Sequence, residues 1–301
     1  MERRHFLQGL ALQGLGLTAA AAASSAAAQQ QAMAAACPWP APQFASADRL
    51  GHCRIGDGSI TCVVLHEWLG DHVNWEPILH YIDFNRHTLV FMDLRGYGWS
   101  RTLTGSYTLN EAVDDVLRTA DLIGLSRFHL IGHSMSGLVA QAVALQAASR
   151  IQSVTLFSPV PPNGFKADAA TLKALNAVLD DDAAASRAIT ARTGNRYGAG
   201  WLQRKLAIAR GAGTIDAMSG YLTMFTSASI TGDMRRLTAP LHVVIGAQDI
   251  PFYRGDATHN TFAAAYRQVT FETIEDAGHY PMLETPVRVA GIIEAHVAAA
   301  G

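Results

Sequence analysis

The chain has 301 residues, of which 49% are hydrophobic and 16% charged, and its formal net charge is −2 at pH 7. This length suits one large domain with an insertion or two small domains, and the apolar share is that of a globular core. Acidic and basic residues are interspersed, without the basic run that would act as a footprint for nucleic acid or anionic lipid, so the composition favours a small-molecule partner and no nucleic acid.

The N-terminal stretch, residues 1–36, has the composition of a targeting segment. A charged start containing Arg3 and Arg4 is followed by a long, mildly apolar run and by small residues. The arginine pair before HFLQ resembles the twin-arginine export signal. Two other interpretations stay open: an uncleaved anchor, because residues 6–28 are long enough to span a bilayer, and lipid attachment at Cys37. We interpret residues 1–36 as an export signal and linker, which predicts a periplasmic or secreted protein without stable membrane association after signal removal.

Six short apolar runs alternate with amphipathic segments from Cys53 onwards. Each run is too short for a helix and almost continuously apolar, as strands buried in a parallel sheet must be. The runs are residues 60–66, 87–93, 127–133, 151–157, 241–246 and 268–274. Between the second and third runs, Thr108 precedes Glu111 by three residues, a capping pattern that predicts a helix. The alternation predicts an α/β fold with a mainly parallel central sheet flanked by helices.

Two of the three cysteines, Cys53 and Cys62, lie on either side of the dipeptide Asp57-Gly58. If this dipeptide formed a two-residue hairpin turn, the two thiols would face each other at disulfide distance, and an exported protein could oxidise them. The cysteine spacing resembles no metal cluster.

The alternation stops between Pro159 and Pro240, where the residues follow a helical periodicity. We interpret residues 159–235 as an inserted helical cap, and residues 37–158 and 236–301 as the core. Most large apolar residues of the cap are expected to pack it onto the core, and a minority to line a substrate pocket. The pocket candidates are Trp201, Met218, Tyr221 and Phe225.

The stretch LIGHSMSGLVAQ, residues 130–141, places Ser134 between a predicted strand and a predicted helix. This is the context of a nucleophile elbow, in which a sharp turn exposes the serine at the end of the sheet and requires small flanking residues. Gly132 fits, whereas Ser136 stands where the pattern usually has a second glycine. The pattern alone is loose, and its alternative is an ordinary serine at the end of a buried strand.

A nucleophilic serine needs a base and a carboxylate that orients the base. Asp249 ends the segment VVIGAQD, and His279 lies in AGHYPMLE, between the last predicted strand and the last helix. The chain order Ser, Asp, His is the one that a nucleophile elbow predicts. We favour Asp249 over the competing acids, which are Asp93, Asp256 and Glu284.

Taken together, these segments resemble the α/β-hydrolase superfamily, from about Gly51 to the last helix. HEWLG is similar to its oxyanion loop and DLRGYGWS to the turn after the next strand, while GHSMSG, SPVPPNGF and AGHYPMLE are similar to small capped esterases and C–C hydrolases. The resemblance implies an α/β-hydrolase fold with a cap and a catalytic triad of Ser134, Asp249 and His279.

The resemblance also implies that backbone N–H groups of Trp68 and Met135 form the oxyanion hole, and that no cofactor is needed. In this superfamily another strand separates the strand of ITCVVLH from the one before it, which places Cys53 and Cys62 about 9.5 Å apart and leaves both reduced. The two histidines of HEWLGDH are six residues apart, unlike the i, i+4 pair of a zinc helix, so no metal site is predicted.

These residues predict a serine hydrolase that cleaves a small apolar or aromatic carboxylic ester through an acyl-enzyme. Methionine and aromatic residues in the cap are the basis for an apolar substrate. Two alternatives stay open: hydrolysis of a C–C bond or a lactone by the same triad, and a slow-turnover ligand-sensing protein that retains the hydrolase fold. The complete triad favours the enzyme.

One residue conflicts with an oxyanion loop, because Glu67 occupies the position where relatives usually have glycine. A carboxylate pointing at the developing oxyanion would oppose the reaction by like-charge repulsion. We therefore expect Glu67 to be neutralised by an ion pair with Arg95, which follows the adjacent predicted strand. The alternative is a Glu67 side chain that faces solvent.

The export signal leads to a test that does not depend on the fold. Residues 1–31, fused to a folded reporter, should carry it to the periplasm, because the twin-arginine pathway transports folded proteins. Replacing Arg3 and Arg4 by lysine should block this transport, as measured by the reporter in periplasmic fractions. Continued export of the double-lysine variant would point to another route.

Overall fold

The structure, a computed structural model, describes residues 39–40, 42–230 and 232–300. The chain divides into two compact units, Met1–Pro40 and Ala41–Gly301, and the elements below belong to the second. The predicted export signal and Cys37 fall outside the described residues. Within the described part, the helices are too short or too polar to cross a bilayer.

The centre of the second unit is a seven-stranded sheet with the order β1-β3-β2-β4-β5-β6-β7. Strand β1 pairs antiparallel with β3, and all other neighbours are parallel. The strands are β1 His52–Ile55, β2 Ile60–Leu65, β3 His87–Met92, β4 Phe128–His133, β5 Ile151–Phe157, β6 Leu241–Gly246 and β7 Val269–Ile274. The six predicted strands are β2 to β7, each correct to within one residue, and the predicted fold class is confirmed.

The apolar runs form strands because the central part of the sheet is covered on both faces. Every residue of β3 and β4 is buried, whereas β7, at the edge, is mostly half-buried or exposed. The helices are α1 Leu109–Leu122, α2 Met135–Gln146, α3 Ala169–Ala177, α4 Asp182–Arg192, α5 Ala199–Ala212, α6 Ile215–Ser227, α7 Pro251–Arg254, α8 Asp256–Ala265, α9 Pro281–Glu284 and α10 Pro286–Ala299. Helix α2 packs on β4 and β5, and α10 packs on β5.

The predicted start of the first helix is confirmed. The hydroxyl of Thr108 accepts a hydrogen bond from the Glu111 N–H at 3.2 Å, which satisfies one of the free amides at the start of α1. The carboxylate of Glu111 in turn accepts from the Tyr107 N–H at 2.6 Å. Side chains from this first turn therefore fix the entry into α1.

The order of the strands separates the two cysteines. Cys53 pairs with Phe91 of β3 and Cys62 with Leu89 of the same strand, so β3 lies between them. No disulfide joins Cys53 to Cys62, as predicted. Burial raises the pKa of the Cys62 thiol to about 12, so this group is unreactive at neutral pH.

Between β5 and β6 the chain forms the four helices α3 to α6, in the region predicted as a cap. Aspartate or threonine side chains cap three of them: Asp168 at α3, Asp181 at α4 and Thr214 at α6 each accept from an N–H of the first turn. Helix α6 contacts α2, which begins directly after Ser134. The insertion therefore lies next to the elbow.

Gly246, the last residue of β6, is required by a close approach of two backbones. A Cβ at this position would lie 2.1 Å from the Gly278 carbonyl oxygen and 2.5 Å from that of Ala277.

Gly246→Ala should therefore lower the free energy of unfolding by about 1–3 kcal/mol, measured by urea denaturation. In the control Gly291→Ala, in α10, a Cβ meets nothing within 4 Å, and helix propensity should raise stability by up to about 1 kcal/mol. Equal stability of Gly246→Ala and the unmodified protein would contradict the close approach.

Candidate active site

Ser134 lies in a strained turn between β4 and α2. Its backbone has φ 53° and ψ −111°, a region that residues with a side chain rarely adopt. The Ser134 N–H donates to the Phe157 carbonyl at 2.9 Å, and the Ser134 carbonyl accepts from the N–H groups of Gly137 and Val160, both at 2.9 Å. The end of β5 and the segment after it therefore hold the turn in place.

The residues on either side of Ser134 allow strand and helix to approach closely. A Cβ at Gly132 would lie 2.7 Å from the Ser136 carbonyl oxygen and 2.9 Å from the Ala140 Cβ, so only glycine fits. Ser136 is fully buried, and its hydroxyl donates to the His66 carbonyl. The residue that departs from the usual pattern thus ties α2 to the loop after β2.

The structure brings Ser134, His279 and Asp249 together in one buried chain of hydrogen bonds. The His279 Nδ1–H donates to the Asp249 carboxylate at 2.7 Å, and Nε2 lies 2.9 Å from the Ser134 Oγ. With Nδ1 protonated, Nε2 is the acceptor for the serine proton. The arrangement can therefore move a proton away from the hydroxyl as it attacks an electrophile.

The loop that carries His279 is fixed from several directions. The His279 N–H donates to the Arg192 carbonyl at 2.8 Å, and the His133 Nε2–H donates to the His279 carbonyl at 2.7 Å. The carboxylate of Glu284 accepts from the N–H groups of Gly278 and Tyr280, each at 2.8 Å. Glu284, one of the competing acids, therefore shapes the loop rather than contacting the imidazole.

The other two competing acids have different surroundings. Asp93, at the end of β3, accepts from the N–H groups of His72 and Trp99, and its carboxylate lies 2.6 Å from the His72 ring. Asp256 is the first residue of α8. Of the four acids considered from the sequence, Asp249 is the one that contacts His279.

The two residues whose backbone amides are predicted to form the oxyanion hole both lie beside Ser134. Trp68 and Met135 line the same cavity as Ser134, and within the described part no acceptor binds the N–H of either residue. The Trp68 peptide is held by its neighbours, because its carbonyl accepts from the Tyr97 hydroxyl at 2.9 Å and its indole donates to the Met218 carbonyl at 2.8 Å. Both donors are thus available to a ligand oxygen.

Glu67 is neutralised, but not by the residue predicted from the sequence. Its carboxylate accepts from the Lys205 ammonium at 2.8 Å, from the Asn74 amide at 3.0 Å and from the Leu69 N–H at 2.6 Å. Burial alone would raise the pKa of Glu67, but the Lys205 charge and hydrogen bond outweigh it and lower this pKa to about 2. The carboxylate is therefore ionised, and its charge is balanced by Lys205.

The predicted pair between Glu67 and Arg95 is wrong. The Arg95 guanidinium makes a bidentate pair with Asp115 of α1, at 2.9 and 2.7 Å, and donates to the Thr104 carbonyl. Asp115 is nearer in the fold and matches the planar fork of the guanidinium, so Arg95 holds α1 to the turn after β3. No local pattern pointed to Lys205, which lies 138 residues from Glu67 on cap helix α5.

A small cavity lies directly over Ser134. Its volume is about 10 Å³, the room needed by one water molecule. Residues from the loop after β2, the elbow, the cap, α7 and the loop that carries His279 line this cavity. The lining residues are Glu67, Trp68, Leu69, Ser134, Met135, Val160, Phe165, Arg192, Phe225, Tyr253 and His279.

The structure corrects the list of cap residues predicted for the pocket. Phe225 lines the cavity, but the other three residues do not. Tyr221 is buried against Tyr97, Met218 is buried and accepts from the Trp68 indole through its carbonyl, and Trp201 stacks on Tyr197. Helical periodicity identified apolar residues of the cap but not the side that each one faces.

A second cleft, of about 380 Å³, lies in the cap and shares two residues with the cavity, Phe165 and Arg192. The rest of its wall is mainly apolar, with residues from α3 and α4 and Ile250. A larger cleft of about 470 Å³ between α10, β6 and β7 contains no residue of the triad. The cap cleft is thus the space next to Ser134 that a substrate's apolar part could occupy.

The parallel sheet, the strained serine turn and the hydrogen-bonded histidine and aspartate define a hydrolase of the α/β class. Residues 62–292 match the model of the alpha/beta hydrolase family, and the chain belongs to this family.

Several known proteins are similar to the chain. The dihydrolipoyllysine-residue acetyltransferase component of the acetoin cleaving system from Cupriavidus necator is 36% identical over 126 residues, 40% of this chain and 32% of that protein. The 3-oxoadipate enol-lactonase 2 of Acinetobacter baylyi is 22% identical over 207 residues, 66% of this chain and 76% of that protein. The chain spans about a third of the length of the curated relatives that it matches first.

Among solved structures, a bromoperoxidase from Bacillus anthracis superposes with a TM-score of 0.73 at 18% identity, covering 86% of this chain and all of the other. A similarity at 18% sequence identity shows a shared fold and no more. It covers 86% of this chain, whereas the family model matches residues 62–292.

The Glu67–Lys205 pair leads to a prediction about stability. Lys205→Met leaves a buried carboxylate without its cation and should lower the free energy of unfolding by about 3–5 kcal/mol at pH 7. The depressed pKa of Glu67 contributes stability above its usual pKa of 4.5, which is lost as the pH falls towards 2. In Lys205→Met burial instead raises this pKa, so the difference between the two proteins should shrink at about pH 4.

Urea denaturation at both pH values measures this effect. Glu67→Gln combined with Lys205→Met should recover most of the loss, because no buried charge remains. Arg204→Met is the matched control, since Arg204 is the exposed neighbour on the same helix, 4.0 Å from Glu76, and should change stability by less than about 1 kcal/mol. A loss in Lys205→Met that does not depend on pH would contradict the ion-pair account.

Proposed function

We propose that the protein is a serine hydrolase that cleaves a small apolar or aromatic carboxylic ester through an acyl-enzyme. The observation that carries this proposal is the hydrogen-bonded chain from Ser134 through His279 to Asp249, at 2.9 and 2.7 Å. A serine at a strained turn, a base within reach and an oriented carboxylate are the parts that nucleophilic acyl transfer requires.

The reaction follows from these contacts. As the Ser134 Oγ attacks the ester carbon, its proton passes to the His279 Nε2, and Asp249 stabilises the imidazolium that forms. The N–H groups of Trp68 and Met135 stabilise the negative charge on the former carbonyl oxygen. When the carbon–oxygen bond to the alcohol breaks, the leaving oxygen takes the proton from His279, and water then repeats the sequence on the acyl-enzyme.

The walls of the site support an apolar substrate. Phe165, Phe225 and Val160 line the cavity, and the neighbouring cap cleft is mainly apolar. The cavity has room for one water, so part of its wall must move for a substrate to enter. Hydrolysis of a lactone by the same residues is a second candidate, favoured by the similarity to the enol-lactonase of Acinetobacter baylyi.

We further propose that the protein acts outside the cytoplasm on a small molecule and does not stay associated with the membrane. This proposal rests on the twin-arginine-like pair Arg3 and Arg4 and on the absence of a basic run in the sequence.

A fluorophosphonate probe should label Ser134, and Ser134→Ala should abolish labelling, as read by mass spectrometry of the modified peptide. The same variant should lose hydrolysis of p-nitrophenyl esters by about a thousandfold or more. Ser136→Ala removes a hydroxyl of the same kind two residues away and should keep the labelling. Labelling that survives in Ser134→Ala would refute the nucleophile.

A panel of p-nitrophenyl esters of increasing acyl length separates the enzyme from a slow ligand-sensing protein. The enzyme should turn over repeatedly on short or aromatic esters, whereas a sensor would release about one nitrophenolate per chain and stop.

A further inference from the structure

The phenol of Tyr253 faces the reacting groups and has no role in the triad. Tyr253 lies on α7, four residues after Asp249, and is 3% exposed. Its ring centre is 4.6 Å from that of His279, and its hydroxyl lies 3.5 Å from the Ser134 Oγ. Tyr253 also forms part of the cavity wall. Its hydroxyl is therefore beside the bond that would form and break.

This hydroxyl lacks a good hydrogen-bond partner. A hydroxyl pair normally bonds at about 2.7–2.8 Å, so 3.5 Å to Ser134 is a weak contact, and the described residues offer the Tyr253 Oη no other partner. Buried polar groups are almost always hydrogen-bonded, and an exception inside a cavity points to a ligand that completes the bond.

The role of this phenol is that of a donor. The serine proton is directed to the His279 Nε2 at 2.9 Å, which is much closer than the phenol. Burial raises the pKa of Tyr253 above its usual value, so the phenol stays protonated at neutral pH. The Tyr253 O–H can therefore donate a hydrogen bond but does not give up its proton.

The oxyanion donors and Tyr253 come from different parts of the site. The Trp68 and Met135 amides belong to the loop after β2 and the start of α2, whereas Tyr253 packs on the ring of His279. In the tetrahedral intermediate, the leaving oxygen is the one that must receive the proton from His279. A donor that packs on this imidazole is suited to the leaving oxygen.

We propose that the Tyr253 hydroxyl donates a hydrogen bond to the leaving oxygen of the substrate, and that the natural substrate has a basic leaving group, an alkyl ester or a lactone. This inference rests on the proposed function. When the carbon–oxygen bond breaks, its electron pair stays on the leaving oxygen, which takes the proton that His279 received from Ser134. Tyr253 keeps its own proton and shares it in a hydrogen bond while the charge develops.

The test compares esters that share an acyl group and differ in the leaving alcohol: p-nitrophenyl, phenyl and ethyl acetate. Nitrophenolate is a stable anion, so its departure depends little on a hydrogen-bond donor. Ethoxide is strongly basic, so its departure depends much more on one. Tyr253→Phe should therefore lower kcat/KM about tenfold or more for ethyl acetate and less than about threefold for p-nitrophenyl acetate. The slope of log kcat/KM against leaving-group pKa should become steeper.

Tyr280→Phe is the matched control. The Tyr280 hydroxyl is also buried without a partner among the described residues, and its ring lies 5.2 Å from that of His279, but Tyr280 does not line the cavity. This variant should change kcat/KM by the same factor for all three esters. Thermal unfolding of both variants shows that each is folded.

Two outcomes would overturn the role of Tyr253: an equal loss on all three esters, or no loss on any of them. Either result, with fluorophosphonate labelling of Ser134 intact, leaves the proposed esterase function standing. Absence of labelling and of turnover in the unmodified protein would instead remove the proposed function, and the inference on Tyr253 with it.

Discussion

The left-handed turn at Ser134 is the constraint on which the rest of the site depends. A residue with a side chain in this conformation costs on the order of 1–3 kcal/mol, so the surrounding backbone must hold it. The carbonyl of Ser134 receives two N–H groups, and its own N–H is bound by the end of β5. Since β4, β6 and β7 are parallel, their carboxyl ends share one edge of the sheet, where Asp249 and His279 converge on the serine.

The two residues that depart from the usual sequence pattern stabilise the same loop. The Ser136 hydroxyl binds the His66 carbonyl at the start of the loop, and the Glu67 carboxylate binds the Leu69 N–H one turn later. The peptide between them is that of Trp68, a residue that lines the cavity. A carboxylate that would harm catalysis if it faced the oxyanion thus fixes the peptide that should stabilise it.

Features that depend on local residue patterns could be predicted from the sequence. Contacts between segments that are distant in the chain could not. Near-continuous apolar runs predicted the bounds of β2 to β7 to within one residue. The strand-turn-helix context indicated Ser134 as the candidate nucleophile. Glu67 was recognised as needing a partner, but Lys205 is brought to it only by the path of the cap, which leaves no local signal. Tyr253 was missed for a related reason: four residues after Asp249 it lies on a short helix, and nothing in the sequence indicates that this helix turns its phenol towards Ser134.

An ion pair links the helical insertion to the loop after β2, whose Trp68 amide we expect to bind the oxyanion. Lys205 belongs to cap helix α5, and its ammonium binds both the Glu67 carboxylate and the Leu69 carbonyl. The cavity over Ser134 holds about one water, so a substrate enters only if part of its wall moves. Separating Lys205 from Glu67 would leave two buried charges unpaired in a poorly solvated site, which costs on the order of 3–5 kcal/mol of free energy. We therefore expect the site to open at Phe165 and Arg192, which line both the cavity and the cap cleft, while α5 stays bound to the loop that carries Trp68.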